Sequence, residues 1–461
     1  MIKHTLRAAR RAFSPSLRCF SDMPDGDLIE DVSEWKVSPD LTKQASLYVH
    51  WPYCLRRCSY CNFNKYISRE NNDHIMTECL QKETETLLQL SQVSCITSVF
   101  FGGGTPSLAH PSSIAAILET VSRWASLCDK AEVTLEVNPT PEGMSKLEDY
   151  CHAGVNRFSI GVQTLQDEDL KILGRDHTSH QALQTITEAR KLCPGRVSVD
   201  VMFGRPKQSI ESWENELSEL LRVCDDHVSL YQLTLERGTQ LFKQVQRGEF
   251  TLPAEDVTAE MYRCARKTLH QHGFLQYEVS NFARNHLTEN HRCQPHAVLE
   301  EENIRSPDLN AVSHHNMSYW KGRQYISVGP GAHGRFVLLG EGGVVREART
   351  QTLEPDIWIH EVRQRGHGTR RRIQLGHLEL LEEVLVMGMR MTGGISHKHW
   401  ELFSPQLGLH EVFGLTTEVR ELLQSGRLVL DDRGLRCSWD GLALLDSMLP
   451  ALLVELEKRI H

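Results

Sequence analysis

The sequence has no run of about 18 apolar residues, the length a helix needs to span a bilayer, and no zinc-finger, helix-turn-helix or RNA-recognition pattern. With a formal net charge of -9 it also lacks the basic balance of a nucleic-acid-binding protein. The densest basic run, TRRRIQ around Arg370 to Arg372, is short enough to read as a solvated face. The 13 cysteines are an odd number, and most stand alone, as at Cys79, Cys95, Cys128 and Cys151. They form no disulfide framework and read as reduced, buried thiols, which excludes a secreted disulfide scaffold. The first 21 residues contain no acid, yet they hold Lys3, Arg7, Arg10, Arg11 and Arg18. Ile2, Leu6, Ala9 and Phe13 recur among those cations at helical spacing, without the apolar core of a secretory signal. Residues 1–21 therefore read as a mitochondrial matrix presequence, and 22–43 as a polar link.

What is present is a chain of 461 residues, long enough for a large α/β domain and a smaller one. Six short runs rich in β-branched and aromatic residues begin at Ser46, Ser98, Glu132, Arg157, Val197 and His227, separated by amphipathic helical patterns from His74, Pro111 and beyond. Strands alternating with crossover helices predict a parallel sheet. Nearly every run ends in a polar or glycine-rich cluster, as expected where chemistry collects at the C-terminal ends of barrel strands. The predicted architecture is a partial (β/α)6 TIM-like barrel over 44–284, then a polar insertion over 285–312 and a connecting segment over 313–373. From 374 to 461, amphipathic helices and a hairpin turning on Asp432-Arg433-Gly434 predict a helical, winged-helix-like C-terminal domain.

The stretch YVHWPYCLRRCSYCNF places Cys54, Cys58 and Cys61 on the loop after the first strand. Three readings compete on spacing alone. A zinc site needs four ligands, and a second cysteine pair is missing. A redox pair uses Cys58 and Cys61 and leaves Cys54 unexplained. An iron-sulfur cluster held by three thiolates fits the odd number and keeps one iron open. After the second strand comes VFFGGGTPS, where Gly102, Gly103 and Gly104 would let backbone approach a ligand closely.

Cys-x3-Cys-x2-Cys after the first strand followed by Gly-Gly-Gly-Thr-Pro after the second resembles the radical S-adenosylmethionine (SAM) superfamily. GVNRFSIGVQTL, LGRDHT, SLYQLTLE, YEVSNFA and GPGAHG narrow the resemblance to the branch that contains anaerobic coproporphyrinogen III dehydrogenases and HemW-type heme chaperones. The resemblance implies that Cys54, Cys58 and Cys61 ligate a 4Fe-4S cluster whose fourth iron is chelated by SAM. It further implies that Tyr48, Gly103, Gly104, Thr105, Glu136, Gln163, Arg175 and Asp200 contact SAM. Dehydrogenases of the branch carry a fourth cysteine two positions after the third; Phe63 stands there in this chain, as in the chaperone class. HNMSYW, from His315 to Trp320, is similar to the His-Asn-x-x-Tyr-Trp motif of that class and implies heme binding with His315 as axial ligand, His314 beside it being the substitute. The function so implied is heme delivery to acceptor proteins, with an electron donor for the cluster; the alternative is porphyrinogen oxidation. Two features depart from the branch: the insertion before the histidine motif, and Arg205, where an apolar residue is usual.

Overall fold

The computed structural model describes residues 41–67, 73–284, 311–414 and 417–460. The expected presequence and almost all of the insertion lie outside the described residues. Alternating strands and helices build one twelve-stranded sheet. In chain order its strands are β1 (Gln44–Trp51), β2 (Cys95–Gly103), β3 (Ser126–Val137), β4 (Arg157–Gln163), β5 (Val197–Phe203), β6 (His227–Gln232), β7 (Phe274–Glu278), β8 (Asn281–Arg284), β9 (Tyr325–Val328), β10 (His333–Val337), β11 (Arg346–Gln351) and β12 (Thr369–Gln374). Across the sheet they run β12-β11-β10-β9-β1-β2-β3-β4-β5-β6-β8-β7. The six expected strands are parallel neighbours, and β9 joins them in parallel on the free side of β1. Antiparallel strands finish both edges. Among the described residues no pairing joins β7 to β12, so the barrel is partial.

Period-two alternation gives the sheet two faces. Val99 and Phe101, Val133 and Leu135, Phe158 and Ile160, and Val199 and Val201 are buried in one apolar core with the helices outside the barrel. Those helices are α1 (Asp73–Ser91), α2 (Pro111–Trp124), α3 (Ser179–Leu192), α4 (Ile210–Val223) and α5 (Glu255–Gln271). Each such side chain contributes about 1.5–3 kcal/mol on burial. Local chemistry agrees with the packing: Thr178 and Gln181 close a capping box at the start of α3, and Arg190 and Lys191 occupy its last turn. The intervening positions, facing inward, are polar yet buried: Ser46, Ser98, Glu132, Arg157, Ser198, His227 and Ser229. A closed barrel usually fills its interior with branched apolar residues; this one is lined with hydrogen-bonding groups instead.

The segment after the insertion plugs into this interior as a short helix, α6 (His314–Trp320). Helix α7 (Pro355–Arg365) then packs back on α1. The buried carboxylate of Glu83 on α1 ties these late segments down, accepting from Gly329 N–H (2.8 Å), Gly368 N–H (2.6 Å) and Trp358 Nε1 (3.0 Å). The C-terminal domain has its own core around α8 (His377–Gly388) and α9 (Leu445–Ile460). Its hairpin, Leu428–Asp431 with Gly434–Cys437, joins Ile395–Ser396 in a three-stranded sheet, so the winged-helix-like expectation holds. TRRRIQ is strand β12, with Arg370, Arg371 and Arg372 exposed.

Two expectations about single residues change. Cys95 and Cys128, read as lone thiols, are joined as a disulfide between β2 and β3. Strand pairing brings together positions 33 apart in sequence. Arg205 is a buried staple: its guanidinium makes a two-pronged ion pair with Glu216 of α4 and lies 3.4 Å from Asp169. Glu216 also accepts from Thr164 Oγ1 (2.5 Å) and Leu165 N–H (2.7 Å). Glu216→Ala would strand a buried cation, and we expect a loss of about 3–5 kcal/mol in urea unfolding; a loss below about 1 kcal/mol would show that the network does not stabilise the fold.

Candidate cofactor site

Chain direction brings the C-terminal ends of β1 to β5 to one rim, and the cysteine loop lies across it. Cys54 is buried, while Cys58 and Cys61 are partly exposed. The loop is anchored on the α/β scaffold at several points. Ser59 N–H donates to Leu173 O (2.9 Å), Ser59 Oγ to Ile172 O (2.7 Å), and Leu241 N–H to Ser59 O (2.8 Å). The LGRDHT motif explains itself here. Gly174 has φ of +69°, and a Cβ there would come within 3.2 Å of the Ser59 nitrogen. The next residue, Arg175, places Nη1 3.7 Å from Cys58 Sγ and donates through Nη2 to Asn138 Oδ1 (2.9 Å) and Gly161 O (2.8 Å).

The glycine loop packs closely on the cysteine-bearing segment. A Cβ on Gly104 would lie 2.7 Å from Tyr53 O, and one on Gly103 (φ +111°) would lie 2.5 Å from the His50 ring. The glycines thus let β2 press against the cysteine-bearing segment itself. Gly104 N–H donates to Trp51 O (2.7 Å), Thr105 N–H to Tyr53 O (2.8 Å), and Thr105 Oγ1 to Cys54 Sγ (3.3 Å). Burial pushes the Cys54 thiol up, partly opposed by that hydroxyl. GPGAHG supports the loop from the other side. Asn64 Nδ2 donates to Pro330 O and Leu353 O, both at 2.9 Å, and a Cβ on Gly331 would clash with Asn64.

Below the rim, the other expected contacts face the barrel interior. Tyr48 is hydrogen-bonded to His50 Nδ1 (3.0 Å). Glu136 accepts from Gly103 N–H (3.1 Å); burial, and then the charge of Asp200, push its carboxyl up to about 8. Asp200 accepts from Ser159 Oγ (2.8 Å) and Ser198 Oγ (3.3 Å), and burial raises its pKa. Gln163 ends β4 with φ of +65°, a conformation that costs a non-glycine residue energy and is found at positions the surrounding structure holds in place. All eight expected SAM contacts therefore gather at the rim or just beneath it. One donor group fits an anionic or polar ligand in particular: Arg175 Nε is buried without a hydrogen-bond partner. Asn138 and His50 belong to the same constellation, and sequence reasoning did not single them out. Asn138 lay in the EVNP cluster at the end of β3; burial lowers the His50 pKa to about 4, so its ring stays neutral.

A model for the radical SAM superfamily matches residues 48–220, and one for the HemN C-terminal domain matches 375–444. The chain is 63% identical, over 96% of its length and 95% of the relative's, to radical S-adenosyl methionine domain-containing protein 1, mitochondrial, of Danio rerio. It is 30% identical to heme chaperone HemW of Bacillus subtilis (strain 168), covering 89% of this chain and all of that one. The chain belongs to the HemW family of the radical SAM superfamily. The coproporphyrinogen III oxidase HemN of Escherichia coli superposes with a TM-score of 0.70 over 90% of each chain at 18% identity, which establishes a shared fold.

The HemW-type histidine motif lies on α6, packed in the barrel interior. His315 is only 4% exposed. Its Nδ1 is 3.0 Å from Ser98 Oγ, its N–H donates to Glu132 Oε1 (2.9 Å), and its ring lies 5.1 Å from that of Phe100. Burial brings its pKa down to about 4, which leaves the imidazole neutral with a lone pair available. Trp320 is likewise buried against Tyr277. His314 is the exposed member of the pair. Phe100 also stacks on Tyr48, so aromatic rings run in contact from α6 to the glycine loop. Among the described residues, no three His, Cys, Asp or Glu side chains gather to hold a single metal ion.

Proposed function

We propose that this chain is a mitochondrial, matrix heme chaperone that binds heme and passes it to acceptor proteins, with a 4Fe-4S cluster on Cys54, Cys58 and Cys61 and SAM on the rim residues described above. The observation that carries this reading is the cysteine loop, which presents three thiols at the barrel rim. At the position of the dehydrogenases' fourth cysteine it has Phe63, 67% exposed. Relatives named heme chaperone, and others named mitochondrial, support the same reading. When bound, the cluster and SAM together supply one-electron cleavage of a sulfonium carbon bond.

The chain's own residues bind and orient. Arg175 steadies Cys58 and offers Nε to a carboxylate; Glu136 and Asp200 present carboxylates to a cation or to ribose hydroxyls. The glycine loop packed on the cysteine segment excludes water from the buried side of Cys54. A bound cluster would take its electron from an external donor, and acceptor proteins would receive the heme.

The test is a product assay. Anaerobic, reconstituted and reduced protein supplied with SAM and coproporphyrinogen is expected to yield no protoporphyrinogen, while the same preparation binds hemin with a shift of the Soret band. Sustained formation of protoporphyrinogen would instead establish the dehydrogenase reading.

A further inference from the structure

We propose that Cys151 and Cys193 form a reversible disulfide in the folded protein, a thiol modification site for hydrogen peroxide that is separate from the cluster loop. Their sulfurs lie 3.7 Å apart, although the residues are 42 positions apart in sequence. Cys151 is in the last turn of the short helix Leu147–His152, which precedes β4, and Cys193 caps α3, which precedes β5. The pair therefore sits at the N-terminal ends of two parallel, hydrogen-bonded strands. The rim, where Gln163 ends β4, is at the other end of the same strands.

The scaffold fixes both positions. Cys151 O accepts from Gly154 N–H (3.0 Å), and Tyr150 O beside it accepts from Val155 N–H (3.0 Å). Cys193 N–H donates to Ala189 O (2.8 Å), and its carbonyl accepts from Arg196 N–H (3.0 Å). The Arg196 side chain donates to Asn156 Oδ1 (3.2 Å), which also accepts from Val133 N–H (2.9 Å), so the two cysteine-bearing turns are braced against each other. Cys193 belongs to the apolar core, and Cys151 packs against that core from its edge. Closing the contact to a disulfide bond brings the sulfurs about 1.7 Å nearer.

The two thiols divide the chemistry. Cys151 is partly exposed, whereas Cys193 is buried. A hydrogen bond from Cys193 lowers the Cys151 pKa and favours the thiolate, the form that reacts. That thiolate attacks one peroxide oxygen: a sulfur–oxygen bond forms, the oxygen–oxygen bond breaks, and hydroxide leaves and takes up a proton as water. Cys151 is then a sulfenic acid. Cys193 attacks its sulfur next, so that the sulfur–sulfur bond forms, the sulfur–oxygen bond breaks, and a second water carries off the Cys193 proton. The two thiols lose two electrons and the peroxide gains them. The other described thiols outside the cluster loop lack half of this arrangement. Cys79, Cys224 and Cys437 are buried. Cys264 is partly exposed, but its partners are Glu214 (3.3 Å) and Thr268 (3.9 Å) rather than a second sulfur.

The experiment treats cluster-loaded, full-length protein with a small molar excess of hydrogen peroxide, blocks the remaining thiols with iodoacetamide and digests the chain with trypsin without reduction. Mass spectrometry is expected to find peptides 147–157 and 192–196, which carry Cys151 and Cys193, joined in most molecules. Dithiothreitol should separate them again. Dimedone, which traps sulfenic acids, is expected to label Cys151 about fivefold or more strongly in Cys193→Ser than in wild type, where Cys193 consumes the sulfenic acid. Cys264 should be labelled equally in both proteins, and thermal melts confirm that the variant is folded. Recovery of Cys151 and Cys193 from peroxide-treated wild type as iodoacetamide adducts would overturn the site. So would a Cys151 joined mainly to some other cysteine, or equal dimedone labelling of Cys151 in the two proteins.

Discussion

Cys54→Ala, Cys58→Ala and Cys61→Ala proteins, each reconstituted without oxygen, are expected to lose the brown colour, the iron and the acid-labile sulfide that wild type retains. A cluster anchored by three thiolates already has one iron without a protein ligand, so removing another leaves no compensating contact. Cys151→Ala is the matched control, because Cys151 lies away from the rim with its Sγ 3.7 Å from Cys193 Sγ. The surroundings add a graded expectation. Arg175→Met removes the donor on Cys58 and unties Asn138 from Gly161 while leaving every thiol in place. By analogy with other outer-sphere partners of metal ligands, it should weaken cluster retention by about 10–100-fold. Cys54 must also shed a proton that burial holds on it, so loading should proceed more readily as pH rises. Stoichiometric zinc without sulfide in wild type would overturn the cluster assignment and every role derived from it.

The parts of this molecule that were legible in the sequence are those whose signal is local. All six alternating runs became parallel strands, because a half-buried strand under crossover helices shows its inward and outward residues in period two. The cysteine spacing and the glycine run pointed to one rim for the same reason, each lying at the end of its own strand. What escaped was set by distant pairing. β9 is four residues long, too short for a pattern, and is a strand because β1 offers it a free edge. The Cys95–Cys128 disulfide and the Arg205–Glu216 staple each depend on neighbours that only the folded sheet brings together. The glycines were read as lying at the rim, but their packing partners were not legible. A sequence shows that Cβ must be absent, but only the structure shows that Tyr53 and His50 would have met it. His315 is the same kind of case, since the motif does not reveal that Ser98 and Phe100 enclose the ring.

SAM binding to the cluster-loaded protein is expected to tighten as pH rises from about 6 to 8, by up to about tenfold per unit, and to level off above that. The cause lies in Glu136, whose carboxyl is held up to about 8 first by burial and then by the charge of Asp200. Below that value the group is mostly protonated. A sulfonium ligand favours the carboxylate, so binding must expel the proton, and the cost grows with each unit of acidity. In the ligand-free protein the same shift acts on stability with the opposite slope. The folded state holds a proton that the unfolded chain releases near 4.3, so the stabilising contribution is complete below that pH and is lost as pH rises through about 8. Glu136→Gln keeps the shape without the charge. It should bind SAM weakly with little pH dependence, nearly matching wild type at pH 6, and should melt higher than wild type at pH 8 when ligand-free. Calorimetric titration at several pH values, paired with thermal melts, reads both effects. An equal pH slope in wild type and Glu136→Gln would place the titrating group elsewhere and remove Glu136 from the SAM site, because a carboxylate serving only the Gly103 N–H would alter the melts and leave the slope of binding unchanged.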